Sequence, residues 1–121
     1  MSDDFLKAAT KEIQEELDAL QQILGKCSSD IDIFNNGKEI QWHLHKIKGL
    51  APMMGQKDIG EIAKITDAVV RHVIANGALE ETLKNLLEST NVMRAIFCDK
   101  YNEDVNEYKK KIKETFANVL K

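Results

Sequence analysis

The chain has one proline, Pro52, and two cysteines, Cys27 and Cys98, in 121 residues. Two isolated thiols are too few for a disulfide framework or a structural zinc site and read as reduced cysteines. No apolar run approaches the ~18 residues of a membrane span, and the opening MSDDFLK lacks the apolar stretch of a signal peptide. The expectation is therefore a soluble, cytoplasmic protein. A formal net charge of −3 leaves no basic footprint for nucleic acid or for an anionic membrane surface. Strand-like alternation, internal repeats and a glycine-rich nucleotide loop are also missing, so the chain is not expected to use ATP by itself.

What is present is helical. Leu, Ile, Ala, Lys and Glu dominate, and apolar residues recur at intervals of three and four, which predicts an all-α, antiparallel four-helix bundle with a fifth, C-terminal helix in one domain. Ser2 followed by Asp3 and Asp4 suits a helix start. Leu6, Ala9, Ile13, Leu17, Leu20 and Leu24 form its buried stripe, and Gly25 stands where helices favour a terminal glycine. Residues 26–36 read as a connection with Ile31 and Phe34 tucked inward. Asn36 and Glu39 have the spacing of a capping box for the second helix, which Pro52 is expected to kink near its end. Gly55 closes that helix, and Asp58 is the expected cap of the third. Ile59, Ile62, Thr66, Val69, Val70 and Val73 form the buried face of the third, and Asn76-Gly77 stops it. A fourth helix is expected from about Leu79, with Leu83, Leu86, Leu87, Met93 and Phe97 inward. A fifth follows Asn102 and packs through Val105, Tyr108, Ile112 and Val119. Its cluster Lys109, Lys110, Lys111 and Lys113 reads as a solvated face.

The second helix carries the stretch around which the rest is organised, QWHLHKIKGLAPMMG from Gln41 to Gly55. At ~100° per residue, Ile40, Leu44, Ile47, Ala51 and Met54 make a core-facing seam, and His45 lies about 140° from its middle. His45 thus faces outward beside Gly49, which leaves bare backbone, with Lys48 one turn on. The short turn near Gly55 makes the second and third helices antiparallel. His45 and Asp67 are each about 15 Å from that turn, so a carboxylate on the third helix stands level with the imidazole. His43 is two residues from His45, about 200° around the helix, so the two cannot share a metal ion. His72 reads as structural or surface.

His45-x-x-Lys48-Gly49, with Gly55 ten residues after the histidine and Asp67 twenty-two after it, resembles the motif of histidine-containing phosphotransfer domains. The opening twenty residues are similar to those of chemotaxis histidine kinases. In this family the position of Asp67 is a Glu or Gln, and chemotaxis members often carry a second histidine where this chain has Lys64. The resemblance covers the first three predicted helices. It implies a phosphorelay intermediate: His45 is the phosphoacceptor, Lys48 meets the phosphoryl oxygens, and Asp67 orients the imidazole. The implied partners are a response-regulator receiver domain and a histidine kinase or kinase ATPase domain as donor. No cofactor, metal, nucleic acid or membrane is implied, and the protein is expected to be monomeric. Trp42 and Met53 read equally as interhelix packing or, with Gly49, as a docking surface. Lys64 and Arg71 read most simply as solubilising charges, with contact to phosphate or partner as the functional alternative.

Two other readings compete. The chain can be the excised N-terminal domain of a chemotaxis-type kinase, or a non-catalytic helical adaptor in which the motif is coincidental. A metal-binding bundle is disfavoured because no repeated Glu-x-x-His is present.

Overall fold

A computed structural model describes residues 2–120, and among these the chain is all-helical. In chain order the helices are α1 (Asp3–Gly25), α2 (Asp30–Asn35), α3 (Gly37–Leu50), α4 (Lys57–Asn76), α5 (Thr82–Phe97) and α6 (Val105–Thr115), with a 3-10 turn at Pro52–Met54 between α3 and α4. The bundle is α1, α3, α4 and α5. The α3–α4 pair packs most extensively, α1 lies against α3 and α5, and α6 lies on α4. Among the described residues no helix is long and apolar enough to cross a membrane.

The predicted stripes are the core. Ala9, Ile13, Leu17, Leu20 and Leu24 of α1 meet Ile40, Leu44, Ile47 and Ala51 of the α3 strip and Ile59, Ile62, Val69, Val70 and Val73 of α4, all buried. Thr66 joins them because its hydroxyl donates to the carbonyls of Ile62 and Ala63 at 2.9 and 3.2 Å, which removes the cost of burying it. Ser2 caps α1 by accepting from the Phe5 amide.

Several local expectations are overturned. Residues 30–35 are helical, and the inward residue is Ile33, while Ile31 and Phe34 are exposed. Asp30 explains why this short helix is held in place. Its carboxylate accepts from the Leu83 and Glu81 amides and the Thr82 hydroxyl, capping α5 from across the fold. That cap sets the start of α5 at Thr82 rather than near Leu79. Asn36 does not form a capping box, because its side-chain amide donates back to the Asp32 carbonyl. By contrast, α1 does end at Gly25, though without a positive φ, whereas Gly55 turns the chain with φ of 82°. Pro52 is not inside a helix: α3 ends at Leu50 and Pro52 opens the 3-10 turn, where a missing N–H is harmless. The cap of α4 is Gln56, which frees Asp58 for another partner.

That partner is on α6. Lys109 is buried, and its ammonium donates to Asp58 at 2.6 Å and to Glu61. Burial alone would lower the Lys109 pKa, but the two carboxylate bonds outweigh it and hold the ammonium above its usual range. Lys110 and Lys113 are exposed, and Lys111 pairs with Glu88. Tyr108, Ile112 and Phe116 seat the helix in the core. The Tyr108 hydroxyl lies 2.6 Å from that of Ser89, and burial pushes its phenol up to about 12. This partner brings Ser89 inward, while Leu87, expected inside, is exposed.

The register of the α3–α4 hairpin is set at its turn. Gly60 packs on the Pro52 ring so closely that an added Cβ would stand 2.6 Å from Pro52 Cγ and 2.8 Å from Cδ. The proline ring cannot rotate away, so Gly60→Ala is expected to lose about 1–3 kcal/mol through overpacking. A urea denaturation midpoint equal to that of the parent protein would show that the hairpin end yields freely.

Candidate functional site

The buried seam of α3 fixes what the helix presents outward. With Leu44 and Ile47 fully buried, His45 and Gly49 are exposed and Trp42 is 54% exposed. A Cβ added at Gly49 would meet nothing within 4 Å, so bare backbone opens directly onto solvent beside the histidine. The His45 ring lies on Trp42, one turn earlier, with ring centroids 6.0 Å apart and planes inclined by 16°. Among the described residues it makes no hydrogen bond.

Asp67 of α4 stands at the level of His45. Its Oδ1 accepts from the Gln41 amide, one turn before the histidine, at 2.9 Å, and its Oδ2 from Lys48, one turn after it, at 3.1 Å. Arg71 Nε is a third partner, 3.1 Å from Oδ2. The carboxylate is buried rather than on an open flank, because these side chains cover it. Two cations and an amide take its oxygens. Asp67, expected to orient the imidazole, makes no direct hydrogen bond to it among the described residues.

Of the other expected site residues, Met53 is exposed on the 3-10 turn, two turns beyond His45. Lys64 faces a groove of about 590 Å³ between α4 and α6, which it lines with Glu61, Ile65 and Lys113. Trp42, His45, Gly49, Lys48 and Asp67 are therefore grouped, while Met53 and Lys64 stand at the margin. His72 lies beside Asn76 near the end of α4, with 3.3 Å between its Nδ1 and the Asn76 amide nitrogen. Among the described residues no three His, Cys, Asp or Glu side chains are grouped to hold a metal ion.

A second polar cluster was not foreseen from the sequence. On the side of α3 facing α1, His43 Nδ1–H donates to Glu16 Oε1 and Lys46 Nζ to Glu16 Oε2, both at 2.6 Å. The Glu16 carboxylate is only 6% exposed. Lys46 Nζ also stands 5.2 Å from the centroid of the Trp42 ring. The available signal was a glutamate at the edge of the Ile13–Leu17–Leu20 stripe, with a His and a Lys three apart on the motif helix to receive it.

Burial alone would raise the Glu16 pKa, but the bonds from Lys46 and His43 outweigh it and hold the carboxyl below its ordinary value of 4.5. Glu12 moves the other way, raised first by the neighbouring Glu16 carboxyl. A depressed carboxylate contributes stability above its unfolded pKa, lost as pH falls through the folded one. Glu16→Gln is accordingly expected to cost about 1–3 kcal/mol at neutral pH. The deficit against the parent should shrink below pH 4.5. Urea titrations across this range check it; a deficit independent of pH would show that the charge of Glu16 is not what matters.

No protein family, curated protein or solved structure matches the chain. The fold and site define a helical bundle that presents one exposed imidazole beside open backbone, with a buried carboxylate level with it on the next helix, bound by Lys48 of α3 and Arg71 of α4.

Proposed function

We propose that the protein is a histidine phosphotransfer intermediate: His45 accepts a phosphoryl group from a histidine kinase or a receiver domain and passes it to a receiver-domain aspartate. The observation that carries this reading is the placement of His45, exposed on the outward face of α3 with open space over Gly49 and Lys48 one turn away. A receiver's reacting aspartate sits in that protein's own cleft, so the acceptor imidazole must project and the backbone beside it must allow close approach.

Phosphoryl transfer asks mostly for positioning and charge compensation. Neutral imidazole presents the Nε2 lone pair to phosphorus while Nδ1 keeps its proton. The P–N bond forms as the donor P–O bond breaks, and the bonding pair leaves on the aspartyl carboxylate, or on ADP when the donor is ATP bound to a kinase. The ring then carries positive charge until Nδ1 releases its proton to water. Lys48 is 29% exposed and is long enough to turn toward the phosphoryl oxygens, leaving Arg71 and Gln41 to hold Asp67.

His43 is the rival acceptor, since a carboxylate already fixes its tautomer. Its side chain is only 15% exposed and is engaged with α1, which suits a brace and not a group that must enter another protein. A cytoplasmic location and a monomeric state belong to the same reading. The test is incubation of the intact chain with a promiscuous histidine kinase and ATP, followed by mass measurement. One added phosphoryl group, removed on adding a receiver domain, is expected. No mass gain with several active kinases would favour the adaptor reading.

A further inference from the structure

We infer that Trp42 is a positioning residue for His45, holding the imidazole by its face while a chain of contacts through Lys46 to buried Glu16 holds the indole. This rests on His45 being the phosphoacceptor. Among the described residues no carboxylate bonds the ring directly, and the Asp67 oxygens meet Gln41, Lys48 and Arg71. An exposed histidine with no hydrogen bond turns freely about its terminal torsion. Trp42 is stacked on the ring, with centroids 6.0 Å apart.

Stacking suits a nucleophile. The lone pair of Nε2 and the N–H of Nδ1 both lie in the ring plane, so contact through the face orients the ring and leaves both edges free. A carboxylate would occupy one of those edges. Aromatic faces also attract imidazolium, so the contact survives the positive charge that develops as the P–N bond forms.

Trp42 is itself 54% exposed and needs an anchor. Lys46 Nζ, 5.2 Å from the indole centroid, supplies a cation–π contact. Its ammonium is fixed at 2.6 Å by Glu16, whose carboxylate is also held by His43. This assigns a site-directed role to a cluster that otherwise only joins α1 to α3.

Trp42 as a docking side chain alone is the competing role, and donor size separates the two. Phosphoramidate is a small donor that needs no docking: Nε2 attacks phosphorus, the donor P–N bond breaks, and ammonia leaves with the bonding pair. Wild type, Trp42→Leu and Trp42→Phe would be labelled with phosphoramidate and, separately, with a phosphorylated receiver domain. The His45 ring-proton shifts would be recorded by NMR in all three. A positioning role predicts that Trp42→Leu slows labelling by both donors, by about 2- to 12-fold with phosphoramidate. Trp42→Phe should restore most of the rate, and the ring-current displacement of the His45 protons should vanish only in Trp42→Leu. Wild-type phosphoramidate labelling of Trp42→Leu, with slowing confined to the receiver domain, would reduce Trp42 to a docking contact and overturn the inference. If wild type is labelled by neither donor, the phosphotransfer reading falls and the NMR arm decides alone. His45 shifts indifferent to Trp42→Leu would then overturn the stack as well, whereas a displacement lost in that variant would uphold it.

Discussion

His45→Gln is expected to fold as the parent does and to take up no phosphoryl group at all. The ring is exposed and contributes no hydrogen bond among the described residues, so its loss removes only the stack on Trp42. Exposed substitutions of this kind stay within about 0.5 kcal/mol. The effect on uptake should be complete because glutamine has no lone pair of comparable nucleophilicity to offer phosphorus. Denaturation curves and intact mass on the same samples check both halves. Uptake retained in His45→Gln would move the acceptor to His43 or His72.

Gly49→Gln separates docking from chemistry. Nothing lies within 4 Å of a Cβ built at Gly49, so the fold has room for the side chain, and helix stability should rise by up to ~1 kcal/mol. The same side chain projects into the space that a receiver must occupy next to His45. If the clash in the complex resembles overpacking in a core, about 1–3 kcal/mol, affinity for the receiver falls about 5- to 150-fold. Labelling by phosphoramidate should not change. Titration of the receiver domain against both proteins tests this, and equal affinities would show that the partner does not approach over this face.

The long helices were legible because each buries one stripe. Ile40, Leu44 and Ile47 are inside, and so His45 is outside, by geometry alone. The level match between His45 and Asp67 was legible for the same reason, since a short turn near Gly55 forces equal distances along both helices. What escaped the sequence depends on partners far away in the chain. α2 is six residues long, too short for a period to show, and Asp30 acts on residues about fifty positions later. Lys109 looked like one lysine among four until α6 laid it against Asp58 and Glu61. Asp67 could be placed at the right height, but three competing donors decided where its oxygens went. Trp42 could be read as packing or docking because a stack with an i+3 neighbour depends on rotamers that spacing does not fix.

Phosphoryl attachment is expected at one atom of one ring, Nε2 of His45. Phosphorylated protein, prepared with a histidine kinase and ATP, can be examined by proton–phosphorus correlation NMR with the imidazole resonances assigned. The account predicts a single phosphorus coupled to both carbon-bound ring protons of His45, the signature of attachment at Nε2. Phosphorus on the ring of His43 or His72, or on no histidine, would contradict it.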